Sequence, residues 1–370
     1  MYRTILRPLF FQLDAEKAHH LATHLGNFFC SFPLIGTRFQ QRYTGSWPIL
    51  RQDFNGISFS NPAGIAAGFD KNARLTALLR YIGFGYAEYG SITAQPSSGN
   101  PPPRLFRLVK DRALINRMGL NNDGAATICH RLREQKKSCP TLFRDFPFGI
   151  NIAKTHDPRI LGDDAIRDYV SSYLHARDVA DYINLNISCP NTGEGKTFEE
   201  PGPLADLLDA IGDEQTDTPH PLLVKLSPDN NRKQLDQLLT LCEERNLTGY
   251  VISNTSTMRS ELATPQKKLS EIGRGGLSGT PLFKTTIEHI SYLRNNLPNH
   301  RIIIGCGGLD SPEKAVAMMK SGANLLQLYT GLIYEGPGLI KRINEALVTQ
   351  MEKEGATSLK EWSEANRTVR

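Results

Sequence analysis

From about residue 57 onward, eight short runs of apolar and β-branched residues recur along the chain: NPAGIAAG, YAEYGSIT, FGINIA, YINLNIS, LLVKLS, YVISNT, IIIGCGG and LLQLYT. Longer stretches separate them. DAIRDYVSSYLHARDVA and RKQLDQLLTLCEER, for example, carry the apolar spacing of amphipathic helices. Eight strands, most of them followed by a helix, predict an α/β fold of the (β/α)8 TIM-barrel type. A doubly wound open sheet is the competing architecture, but the chain has no GxGxxG turn opening a helix after its first strand.

Residues before the first run follow a different pattern. Leu21, Leu25, Phe28, Phe29 and Phe32 recur at helical spacing, while Arg3, Arg7, Lys17 and Arg38 supply positive charge. The spacing predicts a small amphipathic helical extension, serving either as a cap on the barrel or as a surface in the membrane interface. The expected organisation is residues 1–44 as this extension, 45–352 as the barrel, and 353–370 as a polar, charged tail without an assigned function.

Composition narrows the partners. The chain of 370 residues carries a net charge of +5 spread along its length, with no run of basic residues to suggest a nucleic acid. Its six cysteines, Cys30, Cys129, Cys139, Cys189, Cys242 and Cys306, lack CxxC spacing or nearby histidine clusters. That argues against structural metal and a disulfide framework, and for a reducing compartment. No apolar run approaches the roughly 20 residues that span a bilayer, and the N-terminus lacks signal-peptide features.

Parallel barrel strands are covered on both faces, so a polar residue within one calls for an explanation. In YINLNIS, alternation puts Ile183, Leu185 and Ile187 on one face and Asn184, Asn186 and Ser188 on the other. LLVKLS places Lys225 inside an apolar run, FGINIAK supplies Asn151 and Lys154, and IAAGFDK ends with Asp70 and Lys71. A single such lysine is most simply a salt-bridged structural residue. Several near strand ends point to one polar, anionic ligand at the C-terminal mouth. GCGG after the seventh run and YTG after the eighth lie where many barrels bind phosphate through backbone N–H groups, which implies a phosphate-bearing cofactor.

At this point the chain resembles a known family. IAAGFDKN, PPPRLFRL, INRMGLNN, NISCPNT, VKLSPD, SNT, GGLSGTPL, IIGCGG and LYTGLIYEGP occur in the order found in the dihydroorotate dehydrogenases, flavin enzymes of pyrimidine synthesis. The N-terminal MYRTILRPLFFQLDAEKAHHLA resembles the membrane-associated, quinone-reducing class 2 in particular. The resemblance implies that Ala67, Gly68, Lys71, Ser91, Asn151, Asn186, Lys225, Ser253, Gly279, Gly308, Tyr329 and Thr330 contact FMN, the glycine-rich turn and Tyr329-Thr330 holding its phosphate. It also implies that Lys71, Asn116, Arg117, Met118, Gly119, Leu120, Asn186, Asn191, Asn254 and Thr255 hold dihydroorotate or its product orotate. His19 and Arg107 would line a quinone route between the N-terminal helices; a solvent-facing helix position is the plain alternative for His19.

The same resemblance makes Cys189 the catalytic base, removing a proton next to the ring carbonyl while the neighbouring carbon passes a hydride to the flavin. In the quinone-reducing class this position is typically serine, and cysteine is typical of the soluble class. The difference is chemical, because a free thiol titrates near 8.5 and a serine hydroxyl is not ionised without help. Pro190 and TGEGKTFEEPGP, which follow, suggest a lid. The expected activity is dihydroorotate oxidation with a membrane quinone as final acceptor, by a peripheral protein on the cytoplasmic face of a bacterial inner membrane. A soluble acceptor such as fumarate, or a barrel binding a phosphate ligand without catalysis, are the alternatives.

Overall fold

The structure is a computed structural model and describes residues 2–188, 197–215 and 220–366. Among these residues, eight parallel strands close into a barrel: β1 (Ala63–Ile65), β2 (Tyr86–Ile92), β3 (Phe148–Ile152), β4 (Tyr182–Asn186), β5 (Leu222–Leu226), β6 (Gly249–Ile252), β7 (Ile302–Cys306) and β8 (Leu325–Leu328). Each strand pairs with its neighbours in sequence, and β8 closes on β1 with Leu326 opposite Ala63. All eight expected runs are therefore the barrel strands.

Alternation divides the strands as their residues demand. Ile183 and Leu185 of β4 turn outward into the main core, where Leu204, Leu207, Leu235 and Leu238 of the surrounding helices cover them. The inward side is built in levels. At the N-terminal end Tyr86, Tyr182, Leu223, Val251, Ile302, Ile304 and Leu325 form a separate apolar plug. Gly64 and Gly149 leave the space that the rings of Tyr86 and Tyr182 fill. A hairpin of Gln52–Phe54 and Ile57–Phe59 closes this end, with Phe59 edge-on to Tyr86 at 5.3 Å. Its turn is Asn55-Gly56, both residues at positive φ, the geometry that favours this dipeptide.

The C-terminal end is elaborated differently. Leu105–Leu108, Ala113–Asn116 and Gly276–Gly279 form a three-stranded antiparallel sheet that stands beside the mouth over its own small apolar cluster. Neither PPPRLFRL nor INRMGLNN had suggested strands.

A one-turn π-helix (Tyr2–Leu6) and three α-helices, α1 (Arg7–Gln12), α2 (Ala15–Cys30) and α3 (Pro33–Tyr43), make up the described part of the N-terminal extension. Asp14 caps α2, its Oδ1 accepting the N–H groups of Glu16 and Lys17 at 3.0 Å. The bidentate pair of Arg104 with Glu16 ties α2 to the sheet at the mouth. The five apolar residues singled out by their spacing, Leu21, Leu25, Phe28, Phe29 and Phe32, face solvent, with Phe28 59 % exposed. No helix among the described residues is long and apolar enough to cross a membrane.

The C-terminal segment corrects the expectation of a plain polar tail. Leu359–Ala365 is a helix whose Leu359 and Trp362 are fully buried, and Trp362 Nε1 donates to Glu354 Oε2 at 2.6 Å. Two apolar anchors are enough to dock a segment that is otherwise charged.

Candidate active site

A cleft opens at the C-terminal mouth of the barrel, between the strand ends and the antiparallel sheet. Of the residues expected at a cofactor, Ala67, Gly68, Lys71, Ser91, Asn186, Lys225, Ser253, Gly279, Gly308, Tyr329 and Thr330 line it. Of those expected at a substrate, Lys71, Asn116, Met118, Gly119, Leu120, Asn186, Asn254 and Thr255 line it. Cys189 and Asn191 lie outside the described residues; Ser188, just before them, is buried and donates to the Lys225 carbonyl at 3.0 Å.

Three residues sit elsewhere than expected. Asn151 is fully buried behind the cleft wall, where its Oδ1 accepts from the Ser91 hydroxyl. The guanidinium of Arg117 lies over the Phe106 ring at 4.6 Å and donates to the carbonyls of Pro103, Ile272 and Arg274, so its side chain braces the sheet. Lys154, read as part of the anion-binding set, spends its ammonium on the carbonyls of Asp157 and Ile160 at 3.1 and 2.9 Å. Alternation tells which face a residue takes, and not how far along the barrel axis it sits.

The polar wall is a connected row. Asn186 Nδ2 donates to Ser91 Oγ at 3.0 Å, Asn254 Nδ2 donates to Asn186 Oδ1 at 3.0 Å and to the Ser188 carbonyl at 2.9 Å, and Thr255 N–H donates to Asn254 Oδ1 at 2.8 Å. Buried amides need such partners, and these hold the side chains facing the cleft in fixed rotamers. Lys225, only 5 % exposed, has no hydrogen-bond or ion-pair partner for its ammonium among the described residues. A buried cation left this way calls for an electron-rich or anionic ligand.

Lys71 sits on the side toward the N-terminal helices and donates to the Gly68 carbonyl at 2.9 Å. Burial lowers its pKa to about 8; Glu16 opposes the shift and Arg104 adds to it. His19 packs its ring edge-on against Phe69 at 4.9 Å, and burial, helped by Lys71, brings its pKa down to about 3. It is therefore a neutral, packed histidine and no solvent-facing one. Arg107 donates to the carbonyls of Phe10, Phe11, Leu13 and Asp14, closing the C-terminal end of α1.

Gln327 and Glu88 carry a sequence signal of their own, and Cys306 lies within GCGG. Gln327 of β8 and Cys306 of β7 line the cleft, and Glu88 of β2 lies beneath it. Gln327 and Glu88 obey the rule that drew attention to Lys225, a polar residue inside a covered strand.

A closed parallel barrel with a glycine-bordered polar cleft at its C-terminal mouth, lined by a lysine and a row of amides, is the arrangement of a ligand-binding barrel. The comparisons are more specific. Residues 49–351 match the family model of dihydroorotate dehydrogenase, and the chain belongs to that family. It is 39% identical to a dihydroorotate dehydrogenase (quinone) of Thermobifida fusca over 366 residues, covering 98% of this chain and 95% of that protein. It is 39% identical to the protein of the same name from Natronomonas pharaonis, covering 96% and 97%. Among solved structures it is similar to a ligand-free DHODH of Eimeria tenella, with TM-score 0.83 and 28% identity over 96% of this chain and 99% of that one. A complex of the Eimeria tenella enzyme with ferulenol superimposes with TM-score 0.82 over 94% of each chain.

Proposed function

We propose that the protein oxidises dihydroorotate to orotate, a step of pyrimidine biosynthesis, with FMN as the bound electron carrier and a membrane quinone as the final acceptor. The observation that carries the proposal is the Ser91–Asn186–Asn254–Thr255 row lining one cleft together with Lys71 and Lys225, in a chain of this family.

The residues present fit FMN. Lys225 supplies a buried ammonium without a hydrogen-bond or ion-pair partner among the described residues, and Gly279, Gly307 and Gly308, all at positive φ, border the cleft on turns where the backbone can come close to a phosphate. Gly279, Gly308, Tyr329 and Thr330 would hold the phosphate, and Ala67, Gly68, Ser91 and Ser253 would flank the ring. FMN, when bound, supplies the hydride acceptor.

The substrate is a cyclic ureide with a carboxylate. Lys71 supplies a cation for the acid, and Asn116, Asn186 and Asn254 supply the paired donors and acceptors that a ureide edge requires. Met118, Gly119 and Leu120 add backbone on the side of the antiparallel sheet. Cys189 Sγ takes the proton from the carbon next to the ring carbonyl as a hydride leaves its neighbour, so the two losses leave one new C=C bond. As a thiol it can be partly ionised before substrate arrives, so Cys189→Ser should shift the rate profile to higher pH.

The extension gives the second half-reaction its place. The apolar face of α2 and α3 suits the membrane interface, and His19 and Arg107 stand between it and the barrel. On this reading the protein is a peripheral one at the cytoplasmic face of a bacterial inner membrane, which the exposed apolar residues of the extension support. A soluble acceptor such as fumarate would leave that exposed face without a role.

One absorbance titration tests the proposal. The purified protein should be yellow, bleached by dihydroorotate and recoloured by a quinone analogue. Bleaching without recolouring would rule out the quinone, and a colourless protein that stays inert after FMN is added would rule out the enzyme.

A further inference from the structure

Beneath the cleft, Glu88 is fully buried inside the barrel. Its Oε1 accepts from Asn151 Nδ2 at 3.2 Å and Asn184 Nδ2 at 2.9 Å, and its Oε2 from the Tyr182 hydroxyl at 3.2 Å and Gln327 Nε2 at 2.8 Å. All four neighbours donate. Both carboxylate oxygens therefore serve as acceptors, each taking two hydrogens.

An acceptor-only group has a directional consequence. Asn151 must give its NH2 to Glu88, which leaves its Oδ1 for the Ser91 hydroxyl. Ser91, having donated, receives Asn186 Nδ2, and Asn186 Oδ1 is left to receive Asn254. At the far end the Thr255 N–H, which can only donate, takes Asn254 Oδ1. An amide turned by 180° keeps its shape and exchanges donor for acceptor, so each takes its direction from its neighbours: the Thr255 N–H and the Ser188 carbonyl set Asn254 at one end, and Glu88 sets Asn151 at the other. Gln327 is held the same way: its NH2 goes to Glu88 and its Oε1 has no partner among the described residues.

We infer that Glu88 is a positioning residue whose carboxylate fixes which end Asn151 turns toward Ser91 and which end Gln327 turns away from the carboxylate, and so holds the wall of the cleft in its ligand-binding polarity. The inference rests on the cleft being the dihydroorotate site. Glu88 itself does not line the cleft and acts through Asn151 and Gln327.

The test is a polarity swap read by orotate affinity. Glu88→Gln keeps the shape but adds an NH2 that faces either Asn151 or Gln327. Turning Asn151 brings a second NH2 onto Ser91 and leaves the Ser91 hydrogen without an acceptor; turning Gln327 reverses the group it shows the cleft. Orotate binding, followed by the change in flavin absorbance, should weaken about tenfold or more, with a matching rise in KM for dihydroorotate. In Glu88→Gln/Asn151→Asp the acceptor-only group moves one place along the row, again receiving the Ser91 hydroxyl. Asn184, whose Oδ1 has no partner among the described residues, can turn to accept the second amide hydrogen. Affinity should return to within about threefold of wild type, while Asn151→Asp alone, setting two carboxylates face to face, should bind worst.

Glu88→Gln binding orotate like wild type, or a double variant no better than the single one, would overturn the inference. A wild-type protein that binds no orotate overturns the site assignment instead. Retention of FMN on dilution, followed by fluorescence, then decides for Glu88: loss in Glu88→Gln with recovery in the double variant supports the positioning role, and equal retention in all three refutes it.

Discussion

His19 stands edge-on to Phe69 at 4.9 Å, and Phe69 meets Tyr329 in the same manner at 5.5 Å, so three rings run without a break from α2 to the wall of the cleft. These ring contacts join the N-terminal extension to the proposed FMN site. Replacing Phe69 by Leu should slow reoxidation by a quinone analogue several-fold while bleaching by dihydroorotate stays close to wild type. Stopped-flow absorbance separates the two halves, and equal slowing of both would argue against this route.

The state of His19 makes the extension acid-sensitive. Its folded pKa of about 3 lies below the unfolded value near 6.5, so the unfolded chain binds the extra proton between these limits. This contribution to stability is full above about pH 6.5 and is lost as pH falls toward 3. Thermal unfolding followed across that window should show a declining midpoint, and His19→Phe should flatten the decline.

Lys71 predicts a limb on the alkaline side. The free protein loses this cation as pH rises through about 8, whereas a bound carboxylate favours the charged form. Orotate affinity should therefore fall above pH 8, by about tenfold per unit until the pKa of the complex is reached. Isothermal titration from pH 7 to 10 checks it. Lys71→Met should bind weakly throughout and lose the limb.

Arg107 uses one side chain to close α1 through four backbone carbonyls while lying over the Phe11 ring at 4.7 Å. Arg107→Lys keeps the charge and loses the fork, which is no small change at such a site. The expected cost is about 1–3 kcal/mol, confined to docking of the first helices. Hydrogen exchange should speed up in residues 2–14 and stay unchanged in the barrel strands.

How far the sequence discloses this molecule differs by level. The eight strands were legible because covered parallel strands need unbroken apolar runs, and the polar interruptions named the inward residues Asn186 and Lys225. The hairpin at Gln52–Phe59 carried a direct signal in Asn55-Gly56, but two strands of three residues lie below what periodicity can register. The antiparallel sheet at the mouth was out of reach, because Ala113–Asn116 pairs with Gly276–Gly279, some 160 residues on. Pairing at that distance leaves no local pattern. Depth was equally hidden: Ser91 and Asn151 share one hydrogen bond, yet only Ser91 reaches the cleft.

The apolar face of α2 and α3 yields the remaining prediction. Phe28, Phe32 and Leu25 are 59, 45 and 40 % exposed, and Phe28 packs on Phe29 and Phe32 at 5.7 and 5.1 Å, so these rings form one contiguous patch. A soluble barrel gains nothing by leaving such a patch to water, and basic residues of the same extension, Arg3, Arg7, Lys17 and Arg38, suit an anionic lipid surface. Wild-type protein should sediment with vesicles containing anionic lipid, and Leu25→Asp/Phe28→Asp should remain in the supernatant, because two carboxylates on the inserted face are costly there. Neither side chain is buried in the fold, so thermal stability and bleaching by dihydroorotate should be unchanged. Reoxidation by a vesicle-borne quinone should fall in step with sedimentation, while a short water-soluble analogue should work as before. A variant that still sediments would show that another surface meets the lipid, and one that is released yet retains full activity with the vesicle quinone would separate membrane contact from electron transfer.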